Sequence, residues 1–150
     1  MLRENFTSEL KTAMKAGDKR RVETIRMITA ALKDKDIEAR TTAKEVTEDD
    51  ILALLQKLVK SRQESMDIYD KNGRPELAQQ EREEIAIITT FLPQPMSEDE
   101  VAAAIHAAIA ETGAASIKDM GKVIAVLKAA HSGKMDFAKA SAQVKAALAG

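Results

Sequence analysis

The chain has no cysteine and no tryptophan, only three prolines among its 150 residues, and aromatics amounting to 3%. Without cysteine, disulfides and thiolate metal sites are excluded. With so few aromatics, a stacking platform for nucleic-acid bases is excluded as the main recognition device. The longest nearly apolar run, residues 101–110, contains His106 and falls far short of the ~20 residues of a membrane span. The N-terminus lacks the apolar core of a secretory signal, and Glu4 and Glu9 oppose a transit peptide. A soluble cytoplasmic protein without cofactor, metal or membrane partner is expected.

What is present favours helices. Ala, Leu, Lys and Glu are prominent, and charged residues make up 31%. The chain is organised around one break, Phe91-Leu92-Pro93-Gln94-Pro95-Met96-Ser97. Two prolines two residues apart remove backbone donors and push the residues before them out of the α region. A helix is therefore expected to stop at Leu92. Ser97 with Glu100 forms a capping box that opens the next. The expected fold is all-α: a four-helix part over residues 1–92, a Pro-containing hinge, and a three-helix bundle over residues 97–150.

Before the break, apolar spacing predicts a helix carrying Phe6, Leu10, Ala13 and Met14, then one capped by Asp18 with Ile25, Ile28 and Leu32 inward. Periodicity fades over residues 39–46, which predicts a loop. Thr47 and Asp50 open a long helix, Asn72-Gly73 closes it, and Pro75 starts the fourth. After the break, the three helices have Val101, Ile105, Ala108 and Ile109, then Ile117, Met120, Ile124 and Leu127, then Phe137, Ser141, Val144 and Leu148 as inward stripes. Alanine-rich faces bury little area, so this half is expected to be the less stable.

Charge is segregated. Residues 1–33 hold eight Lys/Arg against four Asp/Glu, residues 34–111 nine against eighteen, and residues 112–150 six against two. Two basic ends around an acidic middle suit an anionic partner at the ends. In the tail all six cations are lysines, and Lys118 and Lys122 lie one helical turn apart. Lys19, Arg20 and Arg21 sit in the first turn of a helix, where cations oppose the dipole, which hints at another use. Gly121 interrupts a helical pattern at ~1 kcal/mol against alanine. Close packing of a neighbouring helix is the expected reason, with a surface admitting another backbone as the alternative.

No catalytic constellation emerges. His106 and His131 have no ligand-spaced partner, and Ser8 and Lys11 match S-x-x-K without its companion motifs. The acid runs at residues 48–50 and 98–100 are explained by helix starts. Glu81 shares the inward face of Leu77 and Ile85, and a lone carboxylate there would be poorly solvated. It is expected to pair across the core with Arg62 or Arg26.

Ser116-Ile117-Lys118-Asp119-Met120-Gly121-Lys122-Val123-Ile124 resembles the S-x-K-D-M-G-K-V-M segment of the YqeY family. Phe91-Leu92-Pro93 with Met96, Ser97 and the following acids is similar to that family's Y-L-P-x-Q-L-S-E-E-E. Asp18 to Met27 and Gly73 to Ala78 match its first half in order. The segment 135–141 departs from the family's A-D-G-K-L-V-N pattern. The resemblance implies kinship with the tail of the B subunit of tRNA-dependent amidotransferase, and with it an inherited label of carbon–nitrogen ligase using glutamine as amido donor. It implies a non-catalytic accessory module that binds tRNA or docks to an amidotransferase or aminoacyl-tRNA enzyme; an adaptor for a protein partner is the alternative. The candidate RNA-binding residues are Lys118, Lys122, Lys128, Lys134, Lys19, Arg20 and Arg21.

Overall fold

A computed structural model describes residues 1–149; residue 150, the end of the expected second domain, lies outside the described residues. The described chain is all-helical: α1 Leu2–Ala16, α2 Lys19–Thr42, α3 Glu48–Lys71, α4 Pro75–Thr89, α5 Glu98–Thr112, a 3-10 turn Ile117–Asp119, α6 Met120–His131 and α7 Phe137–Ala149. It divides into two compact units, Met1–Leu92 and Pro93–Gly150.

Local chemistry sets the helix starts. The Asp18 carboxylate accepts from the Arg21 amide at 3.1 Å, opening α2. Thr47 and Asp50 exchange hydrogen bonds of 3.0 and 3.1 Å before α3, and Ser97 and Glu100 do so before α5. Asp136 accepts from the Ala138 amide at 2.9 Å and so starts α7.

Three expectations are corrected. The expected loop at residues 39–46 begins late, because α2 continues to Thr42 and ends on Ala43 in the left-handed region. Its last turn is exposed, so no apolar stripe marks it, and the Thr41 and Thr42 hydroxyls donate back to the Glu38 and Ala39 carbonyls. At the other end of the unit α4 stops at Thr89 rather than Leu92. The Thr90, Phe91 and Leu92 amides then bond to carbonyls three residues back, tightening the exit into Pro93. Met14 and Ile117 are exposed at 54% and 46%, whereas both were expected inward.

The first unit is built on a core of Phe6, Ile25, Ile28, Ile51, Leu55 and Ile88. Each such side chain contributes about 1.5–3 kcal/mol by burial. Phe91 packs edge-on against Phe6, centroids 4.9 Å apart, which seats the exit of α4 on α1. Thr24 is the buried polar residue of this core, and its hydroxyl donates to the Arg20 carbonyl at 2.8 Å.

The second unit closes α5, α6 and α7 around smaller residues: Ile105, Ala108, Val123, Leu127, Met135, Ala140 and Val144. Val123 and Met135 replace Ile117 in the expected interior. Gly133 turns the chain between α6 and α7 at φ +75°, a conformation that favours glycine. Just beyond it, the Lys134 carbonyl accepts from the Met96 amide at 2.9 Å, so the proline segment is pinned within this unit.

Candidate nucleic-acid interface

α6 acquires its two faces from a simple alternation. Val123 and Leu127 are buried, Met120 and Ile124 half-buried. At roughly 100° per residue, Gly121, Lys122, Ala125 and Lys128 fall on the opposite side; Lys118 precedes them in the 3-10 turn, and all five are exposed. The Asp119 carboxylate accepts from the Ala115 and Ser116 amides at 3.0 and 3.3 Å. Those backbone bonds, with Lys122 adding a smaller pull, hold Asp119 below the usual carboxylate range. The only acid in this stretch is thus turned back onto its own chain. The Lys128 ammonium rests 5.9 Å from the Phe137 ring centroid. Lys134 is exposed in the turn after α6. Among the described residues no lysine takes part in an ion pair.

Gly121 corrects an expectation. A Cβ built there would meet nothing within 4 Å, so close helix packing is not its reason.

The basic cluster of the first unit is otherwise engaged. Arg20 donates to Glu83 at 3.2 Å and stands 4.0 Å from Glu84 and 3.9 Å from Glu23. Arg21 donates to Glu9 at 2.8 Å and lies 5.9 Å from the Phe91 ring centroid. These guanidiniums tie α2 to α4, to α1 and to the exit of α4. Lys19 alone of the three is exposed without an ion-pair partner among the described residues.

The ion pair expected at Glu81 forms at Glu84 instead. Arg62 Nε donates to Glu84 at 2.9 Å, and its NH1 donates to the Leu58 carbonyl at 3.1 Å. Both side chains are mostly buried, 16% and 18% exposed. Arg26 is exposed. Three residues along a helix turn the side chain by roughly 60°, which moves the carboxylate to the flank that Arg20 and Arg62 both reach. Glu81 stays half-buried, its carboxyl raised first by burial, then by the charge of Glu84, with Arg62 pulling the other way. The signal for Glu84 in the sequence was its place about one turn from Glu81, on the adjoining flank.

Among the described residues no three His, Cys, Asp or Glu side chains gather as a metal site. His106 is exposed, and His131 borders an open cleft of about 600 Å3 with Pro93, Pro95, Met96, Glu100 and Lys134. No described helix is long and apolar enough to cross a membrane.

Residues 3–148 match the family described as Yqey-like protein. Curated relatives are similarly named, "Altered inheritance of mitochondria protein 41, mitochondrial". That of Lachancea thermotolerans is 37% identical over 90 residues, covering 60% of this chain and 47% of its own. That of Vanderwaltozyma polyspora is 36% identical, covering 56% and 44%, and that of Eremothecium gossypii 35%, covering 59% and 47%. The chain thus matches less than half the length of each. The expectation of a cytoplasmic protein is overturned here, because these relatives are named as mitochondrial proteins.

Proposed function

The chain belongs to the Yqey-like family, and on that premise we propose that it is a non-catalytic accessory module that binds tRNA through its second unit. One observation carries the reading: the lysines of residues 112–149 are exposed and, among the described residues, in no ion pair, while the nearby acid Asp119 is bonded to backbone amides. An ammonium on a flexible stem suits phosphate and carries little base information. The sequence resemblance, which implies kinship with the tail of the amidotransferase B subunit, favours tRNA as the polyanion. Arg20 and Arg21, held by Glu83 and Glu9, are removed from the proposed contact set; Lys19 belongs to the first unit, and Lys118, Lys122, Lys128 and Lys134 are the contacts of the second.

The test is a titration of labelled tRNA with the full chain at rising salt. Three or four phosphate contacts give a log–log slope of about −2 to −4. Lys118→Glu with Lys122→Glu weakens binding about tenfold or more and leaves the melting temperature in place. Absence of tRNA binding by the unaltered chain at low salt overturns the proposal.

A further inference from the structure

Nothing inside the protein asks for a glycine at position 121. Its φ is not among the left-handed ones, it is exposed, and an added Cβ would touch no atom within 4 Å. Alanine would fit and would favour the helix. Nor is this flank a free helix end, since the Met120 amide already donates to the Ile117 carbonyl and the 3-10 turn runs on into α6.

The surroundings supply a reason from outside. Around the axis of α6 Lys128 lies roughly 20° to one side of Gly121 and Lys122 roughly 100° to the other, and Lys118 precedes them in the 3-10 turn that leads into the helix. Exposed Ala125 lies between Lys128 and Lys122. The face therefore carries three ammonium groups around a strip of nearly bare backbone. It has no arginine to read base edges, and its nearest ring, Phe137, sits beneath Lys128. A polyanion fits this charge, and one recognised by backbone and shape fits the lack of stacking groups.

Resting on the tRNA reading above, we infer that the solvent face of α6 docks the sugar–phosphate backbone of a folded RNA, with Gly121 setting the distance of approach. The strand lies against the bare glycine, and Lys118, Lys122 and Lys128 reach phosphates on its two sides. A side chain at 121 lifts the strand and lengthens those contacts.

The experiment measures tRNA affinity and melting temperature for the full chain carrying Gly121→Ala, Gly121→Leu or, as a control on the exposed face of α5, Ala107→Leu. Gly121→Ala is expected to raise the melting temperature yet weaken tRNA binding about three- to tenfold. Gly121→Leu weakens it further, and Ala107→Leu leaves it as it was. If both Gly121 variants bind like the unaltered chain while Lys118→Glu/Lys122→Glu has lost affinity, the role of Gly121 is overturned and the tRNA reading stands. If the unaltered chain binds no tRNA, both fall together.

Discussion

The two units solve the same problem with different residues. In the first, guanidiniums join the helices: Arg3 to Asp36 between α1 and α2, Arg21 to Glu9 between the same pair, Arg20 and Arg62 to the acids of α4, and Arg82 to Asp70 between α4 and α3. Every ion pair among the described residues belongs to this unit. The second unit packs its three helices on two alanines, two valines, Ile105, Leu127 and Met135, and among the described residues its lysines bond to no carboxylate. A planar fork satisfies two acceptors at fixed geometry, so arginine suits internal joints. A hydrated point charge on a flexible stem loses little by staying in solvent, and it stays available. The difference teaches that equal positive charge at the two ends of the chain does not mean equal availability to a partner.

The largest effect should come from the cores. Leu55→Ala, in the fully buried centre of the first unit, is expected to cost about 3–4 kcal/mol in urea unfolding, and Val123→Ala about 1–3 kcal/mol. Equal losses would erase the contrast between a large-residue core and a small-residue one.

The arginine joints come next. Glu84→Ala strands Arg62 where both are mostly buried, and a loss of about 1–3 kcal/mol is expected. Lys139→Ala, on the exposed side of α7, should fall within about 0.5 kcal/mol. A double-mutant cycle on Arg62 and Glu84 checks the attribution, since a coupling near zero would assign the loss to packing.

Glu81 gives a smaller effect of opposite sign. Its folded carboxyl is raised above the ordinary glutamate value of 4.5, so folding favours the protonated form. That stability is fully present below 4.5 and is lost as pH rises through the folded value. Glu81→Gln should therefore raise the melting temperature by about 1–2 °C at pH 7. The gain should vanish in scans below the ordinary glutamate range, and a gain that persists there would point to a cause other than charge.

The smallest shift is expected in the second unit, at Asp119. Its folded carboxyl is lowered beneath the ordinary aspartate value of 3.8 by the Ala115 and Ser116 amides. The associated stability is present above 3.8 and is lost as pH falls through the folded value. Asp119→Asn should lower the melting temperature slightly at pH 7 and converge with the unaltered chain in acid. Thermal scans at the two pH values decide it.

Sequence by itself determined the seven helices, the caps at Asp18, Thr47 and Ser97, and the break at Pro93 and Pro95. These are contacts between residues a few positions apart, and a backbone without a donor or with a nearby carboxylate has the same options wherever it lies. The end of α2 escaped because its last turn exposes Arg40, Thr41 and Thr42 and carries no apolar period. The lysine face of α6 was legible in its members, since Lys118, Lys122 and Lys128 are all candidates from the sequence; the structure added that they lie away from the buried Val123. Tertiary structure alone decided that Arg62 takes Glu84 rather than Glu81, that Arg20 and Arg21 are engaged within the first unit, and that Gly121 faces open space. Each of these depends on which flank one helix turns toward another. A shift of one turn or roughly 60° exchanges partners while leaving the local pattern of residues unchanged.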